Sequence, residues 1–214
     1  MKKQSAQKEC KLPPNYFIAV RIRNNEILTK LKSIQENIVK TKEDLKHALI
    51  SADTFHLTLC VLRIDGEDEL NKADQLMETF QQKLRERNDL RKLFLTVQGL
   101  DHFRNQVVFA KVKNDENFAQ LEKLADTVVS CFEESKMVIK DHEKFTPHLT
   151  LAKLSKAPLL RTKRIKAISR DSYADFAEDT FGVEEVDSVQ LLSMSKRKAE
   201  DGYYYCQKEI SLTD

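Results

Sequence analysis

The tetrapeptide His-Leu-Thr-Leu occurs twice in this chain, at residues 56–59 and again at 148–151, each time at the head of a short apolar run. Both runs read as β-strands, and side chains along a strand alternate between its two faces. His56 and Thr58 therefore share one face while Leu57 and Leu59 share the other; His148 and Thr150 repeat the arrangement. Burying the leucines of both copies leaves two imidazoles and two hydroxyls on the opposite side. With 92 residues between the copies in a chain of 214, the pattern favours a duplicated α+β unit that places equivalent strands around one cleft.

The remaining periodicity fits that frame. Strands are expected over 16–23, 55–64, 93–100, 106–113, 145–154, 186–196 and 203–212. Apolar residues at helical spacing predict helices over 26–40, 67–87 and 117–136. Residues 101–105 read as a loop, the basic stretch 157–178 as short helices or a lid, and Asp201-Gly202 as the turn of a hairpin. Residues 1–14, ending in Pro13-Pro14, read as a flexible lead-in, and 15–214 as one domain of two lobes.

Composition narrows the partners. The chain carries 36 basic against 34 acidic residues, a net charge of only +2, so a polyanion would have to be held locally. Local enrichment exists at Lys153, Lys156, Arg161, Lys163, Arg164, Lys166 and Arg170, and again at Lys196, Arg197 and Lys198. No run approaches the ~18 apolar residues of a membrane span, and the N-terminus lacks a signal peptide's apolar stretch. A cytoplasmic protein is expected, with the nucleus as a second location given the basic runs. The four cysteines, Cys10, Cys60, Cys131 and Cys206, form no Cys-x-x-Cys pair and read as reduced thiols. Strict alternation puts Cys60 on the face of His56 and Thr58. His142 and His148 are too loosely arranged for a metal set, so neither metal nor cofactor is expected.

Two imidazoles with ordinary pKa values near ~6.5 suit proton transfer at neutral pH, since one can be neutral while the other is charged. Two threonine hydroxyls can donate to a charged oxygen. The ligand that fits both is a phosphodiester.

Several strings carry a resemblance. They are Asn15-Tyr16-Phe17, Phe55-His56-Leu57-Thr58-Leu59, Phe145-Thr146-Pro147-His148-Leu149-Thr150, Lys153-Leu154-Ser155-Lys156-Ala157-Pro158 and Gly202-Tyr203-Tyr204. On these the chain resembles the 2H phosphoesterase superfamily, named for its two His-x-Thr/Ser motifs, and within it the central domain of the A-kinase anchoring proteins 7 and 18. The resemblance implies a bilobal α+β fold, with two antiparallel sheets and flanking helices around a cleft and one motif in each lobe. It implies metal-independent cleavage of 2',5'-linked oligoadenylates, or binding of nucleoside monophosphates such as AMP, with His56, Thr58, His148 and Thr150 as the catalytic set. A non-catalytic AMP- or CMP-binding sensor or scaffold, and a 2',3'-cyclic phosphodiesterase acting on RNA ends, are the alternatives.

For adenine, an aromatic platform is needed, and Phe55, Phe145, Tyr203 and Tyr205 are the candidates, with Lys153 and Lys196 for flanking phosphates. The anchoring proteins carry a kinase-binding helix after this domain, whereas this chain ends at Asp214. Binding of the protein kinase A regulatory subunit is therefore not expected from this chain alone, and a monomer is.

Overall fold

The computed structural model describes residues 12–87, 92–139 and 145–212. The expectations for Cys10, for most of the lead-in and for His142 fall outside the described residues. Among the described residues, eight strands and three long helices follow one another as β1 (Tyr16–Arg21), α1 (Asn25–Thr41), β2 (His56–Leu62), α2 (Gly66–Arg85), β3 (Leu93–Phe103), β4 (Val107–Val112), α3 (Glu116–Phe132), β5 (His148–Lys153), β6 (Thr180–Val186), β7 (Ser188–Ser193) and β8 (Tyr205–Ser211). The fold is α+β, with two four-stranded antiparallel sheets ordered β2-β1-β7-β8 and β5-β4-β3-β6.

Local chemistry sets the helix starts. The Asn24 side chain accepts from the backbone N–H groups of Glu26 and Ile27, and Asp115 does the same for Asn117 and Phe118, satisfying donors that a helix leaves orphaned. Helix α1 then buries Ile27, Leu31, Ile34 and Ile38 as a single stripe. That stripe packs on β5 and β6 of the second sheet, while α3 reaches back to β2 of the first. One contiguous apolar core consequently runs under both sheets, through Ile18, Val20, Leu57, Leu149, Phe181 and Leu191.

Both motif strands are sheet edges, and each edge is covered by the segment leading towards the other motif. The carbonyl of Val61 accepts from Ile139 and that of Met137 from Arg63, while Ile50 donates to Leu151. Buried Gln35 ties the second junction by donating to the carbonyls of Ile50 and Leu151, at 2.7 and 2.8 Å. Each junction protects an otherwise open edge and fixes β2 against β5.

Three expectations are corrected. Residues 101–103 belong to β3, and a two-residue turn at Arg104-Asn105, both in the left-handed region, closes the hairpin with β4. The stretch 186–196 is divided at Asp187, where the chain passes from β6 in the second sheet to β7 in the first. Strand β6 itself had no sequence signal, because it carries Gly182 and a buried Glu184, residue types depleted from strands. Gly182 is required there: with φ 148°, a Cβ would sit 2.9 Å from Cγ1 of Ile27 on the closely packed α1.

Candidate active site

Register places the two motifs in equivalent environments. In the first sheet Arg21 lies opposite His56, Val20 opposite Leu57 and Ala19 opposite Thr58. In the second, Lys111 lies opposite His148, Ala110 opposite Leu149 and Phe109 opposite Thr150. Each histidine thus has a cationic cross-strand neighbour. As expected from alternation, both histidines and both threonines are half-buried while Leu57, Leu59, Leu149 and Leu151 are buried.

The two imidazoles are held in the same way. Nδ1 of His56 lies 2.7 Å from the carbonyl oxygen of Thr54, and Nδ1 of His148 lies 2.8 Å from that of Thr146, two residues upstream in each case. A carbonyl only accepts, so Nδ1 carries the proton in both rings and Nε2 is left as the basic nitrogen. Aromatic rings complete each holder. Phe17 and Tyr204 lie 4.8 and 5.5 Å from the His56 ring, and Phe103 and Phe109 lie 5.0 and 5.2 Å from that of His148.

Desolvation in this aromatic niche, opposed by the bond to Thr54 and reinforced by the charge of His148, pushes the His56 imidazole down to about 4. The two rings therefore sense one another across the cleft. Neither Thr58 nor Thr150 has a hydrogen bond from its hydroxyl to protein among the described residues, so both are available to a ligand.

A shared irregularity moves two other residues. Both β1–β2 and β4–β5 pairings shift register one step past the threonine, at Leu59 and at Leu151. Such a bulge interrupts alternation. Cys60 turns into the core, 6% exposed, instead of joining His56 and Thr58, and burial pushes its thiol up to about 12. The equivalent shift brings Lys153, exposed, onto the side of His148 and Thr150. Cys60, Cys131 and Cys206 are all unpaired.

The aromatic candidates need correction. Phe55 is 1% exposed inside the core, its carbonyl bonded to the backbone of Ile22, so its ring is closed to a nucleobase. Tyr203 is 2% exposed beneath the Arg21 guanidinium, 4.1 Å from its ring centre, and Arg21 is ion-paired to Asp201 at 2.8 Å. Phe145 is half-buried against the core. Tyr205 is exposed under the ammonium of Lys196, 4.5 Å away, and Lys196 also donates to Gln207; neither meets a histidine ring among the described contacts.

The tyrosine that reaches the site is Tyr204, which sequence reasoning passed over because 203–204 precede β8 and do not follow its alternation. Arg21 and Lys111 were also missed; only cross-strand register reveals them. Among the described residues no three His, Cys, Asp or Glu side chains gather as a metal set, and no helix is long and apolar enough to cross a membrane.

Two four-stranded sheets, each with a His-x-Thr motif on its edge strand, have the fold of the LigT-type 2H phosphoesterases. The chain belongs, more narrowly, to the family described as the AKAP7 2'5' RNA ligase-like domain, whose model matches residues 14–212. It is 35% identical over 208 residues to human A-kinase anchor protein 7 isoform gamma, covering 97% of this chain and 60% of that relative's length. Among solved structures, TT0787 of Thermus thermophilus is similar with a TM-score of 0.61 at 22% identity, over 92% of this chain and 97% of that one. E. coli LigT, solved with 3'-AMP, is similar with a TM-score of 0.57 at 19% identity, over 95% of this chain and all 100% of LigT.

Proposed function

We propose that the chain is a 2',5'-phosphodiesterase that cleaves 2',5'-linked oligoadenylates, with His56 as general base and His148 as general acid. The observation that carries this reading is the paired holding of the imidazoles, each fixed through Nδ1 to the carbonyl two residues upstream so that Nε2 is the proton-transferring atom. The family's 2'5' RNA ligase-like description supports the linkage, and the 3'-AMP in LigT, a protein of the same fold, supports a nucleotide ligand.

In a 2',5' linkage the free 3'-hydroxyl of the same ribose lies beside the phosphorus, so attack needs no external nucleophile. Neutral His56 accepts the 3'-hydroxyl proton as the new P–O3' bond forms. His148 gives a proton to the departing 5'-oxygen as the P–O5' bond breaks, leaving a 2',3'-cyclic phosphate. Water in place of the 3'-hydroxyl would use the same groups and leave an open phosphate. Thr58 and Thr150 donate to the non-bridging oxygens, where charge builds up. Replacing either threonine by valine is expected to lower kcat by about 10²-fold with little change in KM, read by steady-state kinetics.

The low His56 pKa fixes the pH behaviour. In the free enzyme the acid limb of kcat/KM is expected near pH 4, because His56 remains neutral down to there. The sign for stability follows from the same shift. The unfolded chain takes up this proton first, so the stabilisation is full above the ordinary value of 6.5 and is lost as pH falls towards about 4.

The deciding experiment incubates purified protein in EDTA with 2',5'-linked triadenylate, its 3',5' isomer and a 2',3'-cyclic phosphate, with products resolved by mass. Selective loss of the 2',5' substrate supports the proposal. Turnover of the cyclic phosphate alone would reassign the enzyme to RNA ends, and AMP binding with no turnover would make it a sensor.

A further inference from the structure

The proposed chemistry accounts for one phosphate, but a cavity of about 360 Å³ opens beside it, between the two lobes. Ser51 and Thr54 line it from the segment before β2, Lys153 and Lys156 from the end of β5 and beyond, and Lys198 and Tyr204 from the β7–β8 connection. It adjoins the site directly: the Thr54 carbonyl holds the His56 ring, and Tyr204 packs edge-on against that ring.

Three lysines thus line one hollow, and among the described residues none is ion-paired. Elsewhere Lys30, Lys46, Lys163 and Lys208 each meet a carboxylate. Two of the three are positioned in advance. Lys156 Nζ donates to the Leu49 carbonyl at 2.5 Å, leaving further N–H groups, and Lys198 Nζ stands 5.2 Å from the Tyr204 ring centre. Lys153 reaches this side because of the bulge at Leu151. Lining one hollow with like charges costs free energy that an anion would offset. The lysines are its donors, because the Ser51 hydroxyl already donates to the Asp53 carboxylate at 3.0 Å and the Thr54 hydroxyl to the Ser51 carbonyl at 2.7 Å.

We infer that this cavity is a second phosphate site, holding the phosphate one linkage away from the one the histidines attack. The preferred substrate then carries at least two phosphates: a triadenylate, or a dinucleotide bearing a terminal phosphate. The inference rests on the reading of the histidines as a phosphodiester site, but its test is separate. Adenosine 2',5'-bisphosphate reproduces the spacing of consecutive phosphates in a 2',5' chain whichever direction the chain runs, and can be compared with 2'-AMP and 5'-AMP by calorimetry.

Wild-type protein is expected to bind the bisphosphate at least about tenfold more tightly than either monophosphate, as charge-assisted bonds of this kind allow. Lys153→Ala, Lys156→Ala and Lys198→Ala, all at exposed positions, are each expected to shrink that advantage, and the triple variant to remove it. His56→Ala should weaken all three ligands by a common factor. Equal affinity for mono- and bisphosphate in the wild type, or lysine variants that weaken all three ligands alike, would overturn the second site. Lysine-dependent discrimination without cleavage of triadenylate would leave the site standing and remove the catalytic reading. Cleavage without discrimination would do the reverse.

Discussion

Alanine at His56 or at His148 is expected to lower cleavage of a 2',5'-linked diadenylate by about 10²–10⁴-fold each, the usual contribution of a positioned acid or base. The double variant should lose far less than the product of the two, because base and acid act in one concerted transfer and either loss disables it. Both rings are half-buried, so the fold should survive their loss. His56 nevertheless packs on Phe17 and Tyr204, and His56→Gln, which keeps more of that contact, serves as the control for collapse of the niche. Thermal unfolding beside single-turnover rates separates the two effects. Cleavage by a well-folded His56→Gln protein at the wild-type rate would remove His56 from the chemistry, and the same result for His148→Ala would remove the acid.

The motif was legible because period-two alternation needs nothing beyond the strand itself. His56, Thr58, His148 and Thr150 stand where that rule puts them, on the side opposite four buried leucines. What sequence could not show was everything decided between strands. The bulges at Leu59 and Leu151 are properties of pairing with β1 and β4, and they turn Cys60 inward and Lys153 outward against the simple count. Phe55 stands one residue ahead of β2, at the end of a short 3₁₀ turn, and local pattern does not reveal that its ring enters the core. Tyr204 was hidden for a similar reason, in a run of three tyrosines whose members face a buried layer, a histidine and solvent in turn.

Lobe composition was also beyond local reading. The duplicated order up to the second motif does not say which lobe the last strands join, and β7 and β8, last in the chain, complete the first sheet. The equivalence is spatial: in each sheet the motif strand is an edge, its neighbour carries the cationic residue opposite the histidine, and two further strands support them. A chain that returns to its first lobe after finishing its second makes folding of either half alone incomplete. The single core running under both sheets points the same way.

The joint between the lobes gives the second large expected effect. Glu184, on β6 of the second sheet, is 3% exposed, and its two carboxylate oxygens accept from the backbone N–H groups of Arg23 and Asn24, each at 2.9 Å. Asn24 also caps α1 and donates from its side chain to the Val183 carbonyl at 3.0 Å, so one carboxylate joins the end of β1, the start of α1 and the opposite sheet. Desolvation raises the Glu184 pKa, with the two backbone bonds opposing it. Glu184→Ala removes the charged acceptor of two half-buried amide donors, and a loss of about 2–5 kcal/mol is expected from two charge-assisted bonds. Glu184→Gln keeps the shape but offers one accepting oxygen; its amide NH₂ must face an N–H, so an intermediate loss of about 1–3 kcal/mol is expected. Urea unfolding measures both. A midpoint that falls with unchanged m in the order wild type, Gln, Ala identifies acceptor loss as the cause, whereas Gln equal to wild type would show that shape alone holds the joint. Because the same clamp seats α1, which packs on motif strand β5 and on β6, the Gln variant should also lower activity at temperatures where it is still folded, and a turnover rate unchanged there would confine the clamp's role to stability.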